Sequence, residues 1–155
     1  MCLILFSLGK GIYIVKIKKN WICLTYNGWK GAVHMKMEQV LFIQTGMGID
    51  VHGQDITKAA RRAVEDAIYK NSMPGIEKSL PEQRLENMKV NVKVAVPLDR
   101  NKLDVDHIKE VIPYGSVHVE VTDGGMATSS GIILDDKGDE NDLMYMVNAA
   151  VEVGY

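Results

Sequence analysis

The chain's hydrophobic pattern changes period several times, and each change marks an element. Val40-Leu41-Phe42-Ile43 is a continuous apolar run of strand length, the pattern of a strand covered on both faces, and predicts a central strand. From Ile56 the period lengthens: Ile56, Ala60, Ala63, Val64 and Ala67 recur at helical spacing, with Lys58, Arg61, Arg62, Glu65 and Asp66 between them. This predicts a helix to about Lys70, with Asp55 as its N-cap, because a carboxylate there accepts from the orphan amides of the first turn. Residues 71–88 carry Met73-Pro74-Gly75 and Leu80-Pro81 and predict an irregular connection. From Met88 to Val96 the period is two, with Val90, Val92, Val94 and Val96 on one face and Lys89, Asn91, Lys93 and Ala95 on a wet one. Residues 104–112 predict a short helix stopped by Pro113 and Gly115, and Ser116 to Thr122 a further strand. Ile132-Ile133-Leu134 predicts a short strand, and Asp142 to Glu152 a closing helix with Leu143, Val147, Ala150 and Val151 as its stripe. The order β-α-β-α-β-β-α implies an α/β sandwich: a mixed sheet of about four strands with helices packed on it.

Charge divides the chain. The only charged residues among the first 34 are five lysines, which leaves 13 Lys and Arg against 20 Asp and Glu in residues 35–155, a difference of −7. A body this acidic repels nucleic acid and anionic lipid through its net field, so neither is expected as a partner. No run reaches the roughly 18 to 20 apolar residues of a membrane-spanning helix. Cys2 and Cys23 both lie in the first segment, so the body has no thiol for a disulfide, a zinc cluster or cysteine catalysis, and the cytoplasm is the expected compartment. Residues 1–34 alternate apolar and basic positions and break at Asn27-Gly28, a hairpin-type turn signal. They read either as a genuine extension that adds a hairpin or as translation from an upstream start, with Met35 or Met37 as the native first residue. The expected division is an extension over residues 1–36 and a single α/β domain over 37–155.

Function is expected at the loop Gly46-Met47-Gly48-Ile49-Asp50-Val51-His52-Gly53-Gln54-Asp55, between strand and helix. Gly46, Gly48 and Gly53 allow backbone angles closed to other residues, and a glycine turn before a helix start aims amides at a ligand. The spacing is not a dinucleotide fingerprint, because position 51 is valine, and no P-loop lysine is present. Asp50 and His52 stand two apart, and a carboxylate that fixes an imidazole tautomer serves general bases and metal-ligating histidines alike. The bland alternative makes Asp50 a turn residue and His52 a packing group. His118 and Glu120 share one side of their strand and Asp123 ends it. If that strand neighbours the first, Asp50, His52, His118, Glu120 and Asp123 form a divalent-metal site or an acid–base pair; otherwise His118 and Glu120 are the polar face of a half-exposed strand. Gly124-Gly125 opens a second small-residue loop that offers amides to an oxyanion, in which Ser129 is a nucleophile only if His52 serves as its base.

The loop resembles the signature Gly-x-Gly-x-Asp-x-His-Gly of a family of conserved hypothetical proteins catalogued under the locus prefix Lin. Gly46, Gly48, Asp50, His52 and Gly53 occupy its five positions, and the ending Val147-Asn148-Ala149-Ala150-Val151-Glu152-Val153-Gly154-Tyr155 extends the similarity. The resemblance implies that residues 1–34 lie outside the shared domain, and it carries no catalytic assignment. The fold also resembles the C-terminal domain of tubulin and its bacterial relatives, which says nothing of function. Two functions stand open. One is a small-molecule enzyme or ligand-binding protein, with or without metal assistance, centred on Asp50 and His52. The other is a non-enzymatic homo-oligomeric assembly module whose loops make subunit contacts.

Overall fold

The computed structural model describes Leu5–Ser7, Ile12–Ile17, Asn20–Thr25 and residues 35–155. The chain forms two compact units, Met1–Ala32 and Val33–Tyr155. In the first, β1 (Leu5–Ser7), β2 (Ile12–Ile17) and β3 (Asn20–Thr25) form an antiparallel sheet in that order, with Ile17 opposite Asn20. The turn expected at Asn27-Gly28 lies outside the described residues.

The second unit contains β4 (Val40–Asp50), α1 (Ile56–Tyr69), a single turn α2 (Ile76–Ser79), β5 (Lys89–Val96), α3 (Val105–Lys109), β6 (Ser116–Asp123), β7 (Met126–Ser129) and β8 (Leu143–Gly154). Five strands make one mixed sheet in the order β4-β8-β5-β6, with β7 also paired to β8. The β5–β6 pair is parallel, connected through α3, and the other pairs are antiparallel. This is the expected α/β class, with one strand more than expected.

The closing segment corrects the reading of Asp142 to Glu152 as a helix. Tyr145, Val147, Ala149, Val151 and Val153 are all buried, a period of two that runs past the end of the supposed helix. Leu143, Val147 and Val151 share one face of this strand, and they match helical spacing with Ala150 only because the other face also carries apolar residues. β8 is therefore the central strand, and β4, expected in the centre, is an edge with Phe42 and Ile43 exposed. Ile132 and Ile133 are also exposed and form no strand; the strand of that region is β7, inside the supposed small-residue loop.

The core lies between the sheet and α1. Val90, Val92, Val94 and Val96 of β5 face it with Ile56, Ala59, Ala60, Ala63, Val64 and Ala67 of α1. Lys89, Lys93 and Ala95 occupy the other face as expected, but Asn91 there is buried and donates to the Met35 carbonyl at 2.9 Å. The strand-to-helix loop is shorter than expected, because Gly46 to Asp50 belong to β4 and only residues 51–55 connect. A Cβ on Gly48 would stand 2.0 Å from the Ala59 carbonyl oxygen and 2.3 Å from the Ala63 amide nitrogen; one on Gly46 would stand 2.3 Å from the Ala63 oxygen and 2.4 Å from the Ala67 nitrogen. The helix backbone itself occupies the space of a side chain. Gly46 and Gly48 thus serve close helix–strand packing, with φ in the ordinary range, and the alanine face of α1 completes the contact.

Gly48→Ala is expected to lower unfolding free energy by about 3 kcal/mol or more, since the clash is with backbone that cannot rotate away. Urea denaturation measures it; a loss below about 1 kcal/mol contradicts the packing role.

Candidate functional site

Two loops meet at the end of the sheet, residues 51–55 after β4 and residues 134–142 before β8. Asp50, the last residue of β4, has a side chain 1% exposed. It accepts the Asp55 amide at 3.0 Å and pairs with Lys58 at 2.6 Å and Arg62 at 3.3 Å. Asp55 is the N-cap of α1, accepting from the Lys58 amide at 2.9 Å. Asp50 therefore ties the end of the strand to the first two turns of the helix, with two cations offsetting the burial of its charge.

His52 has a different partner. Its Nδ1 lies 2.9 Å from Oδ2 of Asp139, whose side chain is 1% exposed, while the imidazole is 26% exposed. Asp139 also accepts the Leu134 amide at 2.8 Å and the Gly53 amide at 2.6 Å. The Leu134 amide first, then the Gly53 amide and His52, against an opposing effect of burial, lower its pKa to about 2. Asp139 is thus ionised at neutral pH, so Nδ1 of His52 carries the proton and donates. Gln54 completes the junction: its Nε2 donates to the Leu143 and Asn141 carbonyls at 2.8 and 3.3 Å, and its Oε1 accepts the Glu140 amide at 2.8 Å. Gln54 and Gly53 hold φ of 47° and 95°, left-handed values sustained by these bonds.

The expected pair of Asp50 with His52 is corrected: each is bonded elsewhere. The expected convergence on His118, Glu120 and Asp123 also fails, because β8 and β5 lie between β4 and β6. Three inter-strand spacings put the two strands about 14 Å apart. Among the described residues no group of three or more His, Cys, Asp or Glu is placed to hold a metal ion. His118 and Glu120 stand opposite Asn91 and Lys93 on the sheet face away from α1, and Glu120 is buried there. Asp123 is exposed, 3.7 Å from Arg100. Ser129 donates to Asp142, and His52 is not its partner. Gly124 and Gly125 turn β6 into β7 at φ of 155° and 71°; a Cβ on Gly125 would stand 2.3 Å from the Met146 carbonyl. His107, in α3, is half exposed and lies 3.8 Å from Asp104. Asp139, hidden in an acidic turn 87 residues from His52, is not among the residues that the sequence singles out, and Lys58 and Arg62, about half exposed on α1, reach Asp50 from there.

The Met47 amide donates to Asp66 at 2.9 Å, and the Ile49 carbonyl accepts from Arg62 at 2.6 Å. Both backbone groups point away from β8, so side chains of α1 cap part of the outer edge of β4. Lys70 first, and then this Met47 amide, hold the Asp66 carboxyl below its ordinary pKa.

The model of the conserved hypothetical protein family Lin0512_fam matches residues 40–153, the span from β4 through β8. The chain belongs to this family. A similar solved structure is the crystal structure of an FtsZ-like protein of unknown function from Nostoc punctiforme PCC 73102, at 36% identity and a TM-score of 0.67, covering 74% of this chain and 93% of that one. Among curated proteins none matches. No helix among the described residues is long and apolar enough to cross a membrane. In this Lin0512 member, then, the loop junction lies inside the family-matched span, whereas β1 to β3 lie outside it.

The depressed pKa of Asp139 sets a pH dependence. Stability from its bonds is complete above the unfolded carboxylate value near 4 and is lost as pH falls through about 2. Between pH 4 and 2 the wild type should lose more stability than Asp139→Asn, whose amide does not titrate. Parallel acid-unfolding curves for the two would contradict an ionised Asp139 lock.

Proposed function

We propose that this chain is a self-associating module that joins copies through the outer edge of β4, and that the loop junction is the brace holding this edge in place. The observation that carries the reading is the state of that edge. Strand β4 runs 11 residues with no proline and no charged residue before Asp50, and Val40, Phe42, Ile43, Met47 and Val51 are exposed along it or just beyond. Edge strands that stay solitary are ordinarily short, bulged, proline-bearing or lysine-bearing. This one has a single irregularity, between Val40 and Phe42, and, among the described residues, side-chain caps only at Met47 and Ile49.

The polar groups of the loop junction support the same reading from the other side. Asp50, Asp139 and Gln54 already hold bonds within the chain, which suits a brace better than a reaction centre. The enzyme reading rests on the second nitrogen of His52, oriented by Asp139 as a general base would be. Ligand binding has one observation of its own: a trough of about 550 Å³ whose lining includes Thr45, Met47, Lys70, Lys93, Thr122 and Asn148, a size that suits a small molecule. That trough borders β4 at Gly46 and Met47, the start of the signature, and its lining does not include Asp50 or His52.

Sedimentation velocity of the full chain over a concentration series should show reversible association. Ile43→Lys, at a position 65% exposed, should raise the dissociation constant at least ten-fold with thermal unfolding little changed. A wild type that stays monomeric throughout contradicts the reading, as does an Ile43→Lys chain that associates equally well.

A further inference from the structure

Resting on the self-association reading, we infer that the partner at β4 is a second copy related by a two-fold axis through Gln44, with Ile43 of each chain opposite Thr45 of the other. Four features select this arrangement.

The first is backbone parity. Along an antiparallel edge, alternate residues aim both N–H and C=O outward. The capped groups of Met47 and Ile49 show that the odd positions are the outward ones in β4. Beyond the caps, the outward residues of the regular strand that nothing among the described residues caps are Thr45 and Ile43, and Val40 to Phe42 is irregular. A strand with two adjacent outward positions matches itself antiparallel by pairing one with the other. Gln44 then faces its own copy across the axis as a non-hydrogen-bonded pair.

The second is space. Helix α1 lies over the C-terminal half of β4, where Ala59, Ala63 and Ala67 press on Gly48 and Gly46. Pairing centred on Gln44 sets residues 45–50 of one strand against residues 38–43 of the other, so the two helices lie end to end. Any register centred nearer Ile49 would drive them into each other.

The third is an orphan polar atom. Gln44 is buried, and its Oε1 has no hydrogen-bond partner among the described residues. On a two-fold axis, rotation of both Gln44 side chains out toward the edge would let the two amides satisfy each other, each donating from Nε2 to the other's Oε1. The fourth is charge. Glu38 is exposed, and this register carries it toward residue 50 of the other copy, where the half-exposed Lys58 and Arg62 stand. The caps at Met47 and Ile49 limit the pairing to the open half, which makes the contact isologous and closed instead of open-ended.

The test is a cross-link at the axis. In the full chain with Cys2→Ser and Cys23→Ser, Gln44→Cys brings two sulfur-bearing side chains together across a pair whose Cα atoms stand about 4.5 Å apart, within disulfide reach. Mild oxidation should convert most of it to a covalent dimer on a non-reducing gel. Phe42→Cys in the same background, which this register sets opposite Gly46, should not cross-link. Glu38→Arg should weaken association of the otherwise native chain at least five-fold, with its circular dichroism unchanged. If the wild type associates but Phe42→Cys cross-links in place of Gln44→Cys, the two-fold register is wrong while association through β4 stands. If the wild type is monomeric by sedimentation, both are wrong.

Discussion

The contact between the backbone of α1 and the two glycines of β4 sets how closely helix and sheet pack in residues 35–155. With hydrogen at both Cα atoms, the helix settles until the Ala59 and Ala63 carbonyls occupy the space of side chains. An approach this close explains the alanine face of α1, since larger residues at 59, 60, 63 or 67 would lift the helix off the strand. It also brings side chains from the flank of α1 over the rim of the sheet, where Asp66 and Arg62 reach backbone groups of Met47 and Ile49. One steric choice in the sequence thus sets the core, the partial cap of the edge and the length of edge left open.

A helix pressed this tightly against a strand needs its entry fixed. Asp50 fixes it by holding the Asp55 amide while Lys58 and Arg62 neutralise its charge. Asp139 does the same for the loop itself, gathering the amides of Gly53 and Leu134 and the imidazole of His52. Tyr145 adds a further tie on the central strand: burial, and then its hydrogen bond to Asp99 at 2.7 Å, push the phenol up to about 12, so it stays a neutral donor. These charged groups are buried beside partners that hold them in one geometry, and the conformation they enforce includes left-handed backbone at Gln54.

Local patterns made much of this fold legible. Helix α1 and its cap could be read because Asp55 and the apolar stripe lie within one segment, and β5 because its valines alternate without interruption. Strand β8 was misread because its exposed-face residues include Met144, Met146 and Ala150, which blur the alternation and imitate a helix stripe. The edge position of β4 was beyond reach for a related reason: an apolar run describes the side chains of a strand and says nothing of which neighbours bond its backbone. The candidate residues of the loop were the right ones to single out, but their chemistry depended on Asp139, a partner 87 residues away that no local spacing announces. Gly46 and Gly48 illustrate the same limit. Their presence was plain, yet whether a glycine serves a ligand or a helix depends on what lies above it.

Residues 51–55 and 134–142, tied together through Asp139 and Gln54, are expected to open only when the domain unfolds. Native-state hydrogen exchange tests it directly, through the amides of Gly53, Asp55 and Leu134, whose acceptors are the carboxylates of Asp139 and Asp50. These three amides should exchange with the opening free energy of the buried strand β8 and with the same denaturant dependence. Exchange orders of magnitude faster, independent of denaturant, would show a loop that opens on its own and would contradict the account.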